Sequence, residues 1–168
     1  EELDGPCAIR YPKGTACTDM EDCDEPLQKG RSEVICRGSE IAIIGVGSMV
    51  AVCQKVCEGL RDDRIARATF VNARFVKPLD TGLLDQLSKN HSLLVTVEEN
   101  VKSGGFGEHV SAYMEACHPE VRVLSLAIRD HFIEHGTVDS QRVKTGLNVQ
   151  GIVDAVEQSW ADLAHNRK

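Results

Sequence analysis

The stretch from Leu93 to Val110 places the strongest constraint on how this chain folds. An apolar run, Leu93–Val97, is followed by two carboxylates, Glu98 and Glu99, and then by a glycine loop that leads into a second apolar segment. The run predicts a buried strand, and the later segment, with apolar residues three to four positions apart, predicts a helix. In open α/β sheets, sites form in the loops at the carboxyl ends of the strands. The loop at Gly104–Gly105 is therefore a candidate site.

Units of this kind recur along the chain, and their recurrence indicates the fold class. The predicted strands are residues 7–11, 33–36, 41–44, 68–71, 93–97 and 121–126. A helix follows each of the last four, and three of these helices begin after a residue suited to an N-cap: Ser48, Asp80 and Asn148. Strands that alternate with helices form a mostly parallel sheet with helices on both faces, an α/β fold. Residues 33–36 and 41–44 predict an opening hairpin whose first strand is antiparallel at one edge of the sheet.

The cysteines favour a reducing compartment. The chain has seven of them, an odd number, and no pair has the C-x-x-C spacing of a zinc or redox site. Cys53 and Cys57 fall on the apolar face of one predicted helix, and Cys117 falls on that of another. Because free cysteine packs as a small hydrophobic residue, the spacing predicts buried thiols in the cytosol rather than a metal site.

Composition argues against several classes of protein. Acidic residues outnumber basic ones by 26 to 19, which gives a net charge of −7 and a surface that repels nucleic-acid phosphates. No apolar run has the roughly 18 residues that a membrane-spanning helix needs. No signal-peptide pattern opens the chain. The first residue is Glu1 rather than methionine, so we expect a trimmed or proteolytic piece of a longer protein.

A loop from about residue 12 to residue 30 separates the first predicted strand from the rest. It carries five acidic residues between Asp19 and Glu25, followed by Pro26. Such a composition is typical of an exposed linker. The sequence therefore predicts a short N-terminal tail, an acidic linker and one α/β domain.

Several motifs, in this order along the chain, resemble those of one enzyme family. They are Ala8-Ile-Arg-Tyr-Pro-Lys-Gly14, Asn72-Ala-Arg-Phe-Val-Lys-Pro-Leu-Asp80, Val97-Glu-Glu-Asn100, Gly104-Gly-Phe-Gly107 and Phe132-Ile-Glu-His-Gly136. The set is similar to the C-terminal domain of the 1-deoxy-D-xylulose-5-phosphate synthases, which are thiamine-diphosphate enzymes of the transketolase family. The resemblance extends from about residue 5 to about residue 160.

The resemblance implies a fold and a division of the chain. The fold is a three-layer α/β/α sandwich around a five-stranded mixed sheet with one antiparallel edge strand. Residues 1–25 correspond to the tail of the preceding pyrimidine-binding domain and an acidic linker, and residues 26–168 to the transketolase C-terminal-like domain. The partners implied are the remaining domains of the parent enzyme and a second subunit in a homodimer, with no nucleic acid and no membrane.

For the parent enzyme, the resemblance implies a transferase that decarboxylates pyruvate on thiamine diphosphate with Mg²⁺ and adds the two-carbon unit to glyceraldehyde 3-phosphate. The product supplies isoprenoid precursors, thiamine and pyridoxal, in the bacterial cytoplasm or in a plastid-like organelle. This chain lacks the Gly-Asp-Gly motif that holds the cofactor in the family. We therefore expect the piece alone to bind neither cofactor nor metal, to supply no catalytic residue and to act in assembly and dimerisation.

Two alternatives stay open. The chain could be the same domain of another transketolase-like enzyme, or a regulatory ligand-binding module. Gly45-Val-Gly47 follows a strand and precedes a helix, which is the setting of a dinucleotide fingerprint, but Val50 stands where the third glycine is required. A tight structural turn is the favoured interpretation, although free N–H groups at a helix start can bind an anion.

Glu98 and Glu99 are candidates for an interface rather than for acid–base catalysis. Adjacent residues of a strand point to opposite faces, so the two carboxylates do not converge on one substrate atom. A carboxylate beside the glycine loop can accept its N–H groups and hold the loop against a partner. The resemblance places this edge against the rest of the enzyme, so we predict loop or interface roles for Glu98, Glu99, Gly104, Gly105, Phe106 and Gly107.

The last two candidates lie near the two ends of the chain. His135 follows the last predicted strand without a third ligand or a nucleophile close in sequence, which favours an interface histidine. Arg10 precedes Tyr11-Pro12, and its guanidinium is suited to bidentate phosphate recognition. By resemblance, Arg10 binds the phosphate of glyceraldehyde 3-phosphate, with Lys13 as a weaker companion. An interdomain salt bridge is the other interpretation of Arg10.

Overall fold

Five strands form one mixed sheet in the computed structural model, which describes residues 5–11, 26–62 and 68–166. The strands are β1 (Glu33–Cys36), β2 (Glu40–Gly45), β3 (Thr69–Asn72), β4 (His91–Val101) and β5 (Arg122–Ile128). The helices are α1 (Met49–Asp62), α2 (Thr81–Leu87), α3 (Phe106–Cys117), α4 (Val138–Thr145) and α5 (Val149–Asn166). The strand order is β1-β3-β2-β4-β5, with β1 antiparallel to β3 and every other pair parallel. The predicted α/β class and the antiparallel edge strand are confirmed.

The two faces of the sheet bury two separate cores. Alternate residues of β2 and β4 point to opposite faces because the side-chain period of a strand is two. Ile41, Ile43 and Val95 pack against α1 and α5 in the first core. Ala42 and Leu94 pack against α2 and α3 in the second core. These two helical layers make the three-layer sandwich that the resemblance implied.

The predicted hairpin is wrong in its pairing. β1 pairs with β3, which lies between β1 and β2. β2 is apolar along nearly its whole length and gains more burial as a central strand, whereas Glu33-Val-Ile-Cys36 leaves its side chains partly exposed at the edge. The predicted strand at residues 7–11 is also wrong: these residues are exposed and adopt no strand, because no sheet edge pairs with them among the described residues.

Most predicted helix faces are confirmed, with one exception. Cys53 and Cys57 are buried in α1, and burial raises the pKa of the Cys53 thiol, with Cys57 adding to the effect. Val110 and Met114 are fully buried in α3, but Cys117 is exposed at the last residue of that helix. Of the helices that the structure describes, none has the length and apolar character needed to cross a bilayer.

Candidate functional site

The carboxyl ends of β2 and β4 form the candidate site. The two strands are neighbours, yet the chain leaves β2 through α1 towards β3 and leaves β4 through α3 towards β5. Such a divergence is a topological switch point, where open α/β sheets leave a crevice for ligands or partners. The backbone N–H of Val46 donates a hydrogen bond to the carbonyl oxygen of Val97 at 3.0 Å and joins the two strand ends. β4 extends beyond the predicted Val97, so Glu98, Glu99 and Asn100 are its continuation at the crevice.

Glu98 caps helix α3 from inside the domain. Its side chain is fully buried, and its two oxygens accept the backbone N–H groups of Phe106 at 2.9 Å and Gly107 at 2.8 Å. These N–H groups lie in the first turn of α3, where no backbone partner exists and the helix dipole favours a negative charge. The Glu98 carboxylate thus accepts hydrogen bonds from the residues that directly follow the glycine pair. The interface role stays a prediction.

Glu99 points to the opposite face, as the strand period predicts. It accepts a hydrogen bond from the hydroxyl of Ser48, at the start of α1, and one from Nε of Arg142 in α4 at 2.7 Å. Burial raises the pKa of Glu99, but the hydrogen bonds from Arg142 and Ser48, with the charges of Arg142 and Arg10, outweigh burial and lower the pKa below its usual value. Glu99 is therefore ionised, and it connects the end of β4 to the start of α1 and to α4.

Asn100 contacts the N-terminal segment. Its Oδ1 accepts a hydrogen bond from Nη1 of Arg10 at 2.5 Å, and its Nδ2 lies 3.4 Å from Oε2 of Glu98. Arg10 therefore lies beside the end of β4, next to the two predicted carboxylates. Lys13 and the rest of that motif after Tyr11 lie outside the described residues, as does the acidic stretch from Asp19 to Glu25.

The glycine loop is built by three glycines with different constraints. Gly104 is exposed with φ of +73°, a conformation that favours glycine, and its N–H donates to Glu108. A Cβ on Gly105 would lie 2.6 Å from Oε1 of Glu98, and a Cβ on Gly107 would lie 2.5 Å from Oγ1 of Thr96. Gly105, Phe106 and Gly107 are buried, so their observed role is packing within the domain. Gly104 is the loop glycine that is open to a partner.

The segment after β5 contains a helix that the sequence did not predict. α4 buries no side chain, which explains the missing apolar periodicity. Its capping signals were present in the sequence: Thr137 accepts from Ser140 N at the N-cap, and Gly146 ends the helix with φ of +72°. His135 lies just before α4 and is exposed. Among the described hydrogen bonds, those of Glu98 and Glu99 do not involve His135.

A cavity of about 280 Å³ lies beside this network. Its polar lining includes Ser48, Lys55, Asp139, Arg142 and Asn148. Gly47, at the adjacent turn, has φ of +58°. The predicted tight turn is therefore present, and the hydroxyl of Ser48 donates its hydrogen bond to Glu99.

Two predicted N-caps are also present. Asn148 caps α5 by accepting a hydrogen bond from Gly151 N at 3.3 Å, and Asp80 caps α2 by accepting one from Leu83 N at 3.1 Å.

Replacing Arg142 by methionine is expected to loosen α4 and to lower the free energy of unfolding by about 1 kcal/mol, because the pair with Glu99 is only partly shielded from water. Since the folded-state pKa of Glu99 is lowered, the stabilisation is present above its unfolded pKa of about 4.3 and is lost as the pH falls through the lower folded pKa. The difference in stability between the variant and the parent should therefore be largest near pH 7 and should disappear as the pH falls below the folded-state pKa of Glu99.

Urea unfolding across this pH range, with hydrogen exchange of the α4 amides, provides the measurement. Lys144→Met is the matched control, because Lys144 lies in the same helix as Arg142 and its ion pair, with Glu134, is more exposed. The control should cost no more than about 0.5 kcal/mol. A pH-independent difference between Arg142→Met and the parent would contradict the assigned link.

The described residues offer no cluster of metal ligands. Among them, no group of three or more His, Cys, Asp or Glu side chains could hold a metal ion. Glu98 and Glu99 point to opposite faces of the sheet, and each carboxylate already accepts N–H or O–H groups of this domain. This arrangement does not fit Mg²⁺ and a diphosphate.

Comparison with known proteins places the fold in a family. The family model described as "Transketolase, C-terminal domain" matches residues 30–152. The 1-deoxy-D-xylulose-5-phosphate synthase of Lachnoclostridium phytofermentans is 45% identical over 156 residues, which is 92% of this chain and 25% of that protein. The Escherichia coli enzyme of the same name is 39% identical over 94% of this chain and 24% of its own length. The chain thus spans about a quarter of the length of these relatives.

Solved structures agree with this placement. A structure described as a split gene transketolase in an inactive β4 tetramer has a TM-score of 0.75 at 27% identity, over 83% of this chain and 44% of that one. Transketolase from Campylobacter jejuni shares the fold with a TM-score of 0.60 at 14% identity, over 83% of this chain and 20% of its own. The resemblance found in the sequence motifs is confirmed. The chain belongs to the transketolase C-terminal domain family, and the relatives to which it is similar include 1-deoxy-D-xylulose-5-phosphate synthases.

Proposed function

We propose that this chain is the C-terminal domain of a 1-deoxy-D-xylulose-5-phosphate synthase. The similarity to enzymes of that name over more than nine-tenths of the chain supports the assignment. The complete enzyme would condense pyruvate with glyceraldehyde 3-phosphate, with loss of CO₂, towards isoprenoid precursors and thiamine. Thiamine diphosphate, which supplies the carbanion chemistry when bound, and Mg²⁺ would be held by the other domains. We place the enzyme in the bacterial cytoplasm or a plastid-like organelle.

The domain itself is proposed to act in assembly, and a group of four exposed apolar side chains is the observation that carries this proposal. Phe132 is fully exposed, and Val138 and Val143 on α4 are 58% and 63% exposed. Val101, at the end of β4, is 43% exposed. All four lie at or beyond the carboxyl ends of β4 and β5. Apolar side chains that a lone domain leaves in water favour a surface covered by a partner.

The partner proposed for this surface is the remainder of the enzyme, within one subunit and across a homodimer. The relatives are about four times as long as the matched segment, so additional chain is available to cover it. Gly104 and His135 are exposed at the same end of the sheet, which supports the interface role proposed for them. Glu98 and Glu99 would contribute indirectly, since they hold the loop and α4 in place.

The isolated chain is expected to be inactive and to bind no thiamine diphosphate. Thermal unfolding with and without the cofactor and Mg²⁺ provides the measurement, with the full-length E. coli relative as a matched control. A ligand that binds the native state raises the melting temperature, by an amount set by its concentration relative to Kd. The control should shift and the isolated chain should not.

Three outcomes would contradict parts of the proposal. A shift in the isolated chain would place a cofactor site within this domain. Turnover of pyruvate with glyceraldehyde 3-phosphate by the isolated chain would exclude a purely assembling role. In the full-length protein, activity with a ketose donor in place of pyruvate would favour another transketolase-like enzyme.

A further inference from the structure

Three consecutive side chains at the end of β4 contact three different parts of the molecule. Glu98 holds the start of α3, and Glu99 links α1 to α4. Asn100 contacts Arg10, a residue 90 positions earlier in the chain. Residues 6–11 are exposed, with Ile9 and Tyr11 about four-fifths exposed. Among the described residues, no other side-chain hydrogen bond connects this N-terminal segment to the domain.

The amide of Asn100 has one orientation that satisfies both neighbours. A guanidinium can only donate hydrogen bonds, and an ionised carboxylate can only accept them. Oδ1 therefore faces Nη1 of Arg10 at 2.5 Å, and Nδ2 faces Oε2 of Glu98 at 3.4 Å. A flipped amide would set like groups against each other on both sides. Because Glu98 is buried and held by α3, it anchors Asn100, and Asn100 in turn orients Arg10.

We propose that Asn100 is a positioning residue for phosphate recognition by Arg10. This inference rests on the proposed function and on the role that the family resemblance implies for Arg10, which is to bind the phosphate of the aldehyde substrate. A neutral amide oxygen holds one of the five guanidinium N–H groups without cancelling the positive charge, so the other donors stay available for a bidentate contact with phosphate oxygens. A carboxylate at this position would instead pair with Arg10 and compete with the substrate.

The surroundings of Asn100 support this role. Glu99, whose charge also acts on Arg10, accepts hydrogen bonds from Arg142 and from Ser48. The positive charge of Arg142, whose Nε lies 2.7 Å from Oε1 of Glu99, offsets the negative charge of that carboxylate. Arg10 is therefore held by a neutral acceptor beside a carboxylate that already has a cationic partner. The hydrogen bond to Asn100 orients the exposed guanidinium, and its remaining N–H groups stay open to a phosphate.

The test uses the full-length enzyme carrying Asn100→Ala, Asn100→Asp, Arg10→Ala and the Arg10→Ala/Asn100→Ala pair. Asn100→Ala is expected to raise KM for glyceraldehyde 3-phosphate about tenfold and to leave kcat within about twofold of the parent value. The tenfold change in KM corresponds to the loss of one hydrogen bond to a charged group. Asn100→Asp should raise KM further. With unphosphorylated glyceraldehyde as the acceptor, all variants should match the parent. Calorimetric titration with glycerol 3-phosphate, which has the phosphate but no carbonyl, measures the same loss without turnover.

The outcomes separate this inference from the function on which it rests. If Arg10→Ala leaves KM for the phosphorylated substrate unchanged, the phosphate role of Arg10 is wrong. If Arg10→Ala raises KM but Asn100→Ala does not, the positioning role of Asn100 is wrong. If Asn100 acts through Arg10, adding Asn100→Ala to Arg10→Ala has no further effect, since interacting residues are not additive. An equal loss with both acceptors would indicate a structural role and overturn the inference.

Discussion

Replacement of Glu98 by alanine is expected to lower the free energy of unfolding of this domain by about 3 kcal/mol, because two buried N–H groups at the start of α3 lose their acceptor. Each unsatisfied donor costs about 1–3 kcal/mol. Removing the carboxylate also removes the cost of burying its charge, which offsets part of the loss. The melting temperature should fall by roughly 6–12 °C for a chain of this size.

Two further variants make this expectation specific. Glu98→Gln keeps the volume and one acceptor oxygen but turns an NH₂ group towards a second donor, so its effect should lie between those of the parent and Glu98→Ala. Glu115→Ala, on the exposed side of the same helix, is the matched control and should change stability by less than about 0.5 kcal/mol. Urea unfolding with hydrogen exchange of the α3 amides provides the measurement. A loss below about 1 kcal/mol for Glu98→Ala would mean that water replaces the carboxylate as the cap.

Gly107→Ala is expected to have the second large effect on stability. It should destabilise the domain, whereas helix propensity alone predicts stabilisation. Alanine is favoured over glycine inside a helix by about 1 kcal/mol. Here, however, the new Cβ would lie 2.5 Å from Oγ1 of Thr96 and closer still to Oγ of Ser125. Thr96 is fully buried and β-branched, so it cannot turn away. The start of α3 would have to move off the sheet, at a net cost of about 2–3 kcal/mol.

Gly59→Ala is the matched control for this prediction. Gly59 is inside α1, and a Cβ added there would have as its nearest neighbour a methyl of Val153 at 3.9 Å, an ordinary contact. This substitution should stabilise the domain by about 0.5–1 kcal/mol. Adding Ser125→Ala to Gly107→Ala should recover part of the loss, since the Ser125 hydroxyl finds no hydrogen-bond partner among the described residues. Equal effects of Gly107→Ala and Gly59→Ala would contradict the close packing of α3 on β4 and β5.

The two predictions share one physical origin. Gly107 donates its N–H to Glu98 while its Cα packs on Thr96 and Ser125, so the start of α3 is held both by a charge and by contact with the sheet. A change at either residue disturbs the same turn. Their effects should therefore not be additive in the double variant.

Local features of the candidate site could be predicted from the sequence. The opposite orientations of Glu98 and Glu99 follow from the period of a strand, and the structure confirms them. The N-caps at Asp80 and Asn148 are contacts with residues three positions later, so spacing alone reveals them. Asn100 and Arg142 were not singled out, because their partners, Arg10 and Glu99, are 90 and 43 positions away.

The sequence by itself determined the α/β class, the order of most strands and helices, and the residues that face each core, because these depend on periodicity and on neighbours in the chain. The motifs also determined the family. Only the tertiary structure decided that β3 lies between β1 and β2, and that residues 7–11 form no strand. It also decided which partner each polar side chain at the end of β4 takes. Strand pairing and such contacts depend on the relative burial of segments far apart in the chain, and spacing along the sequence does not reveal which of these segments is buried more.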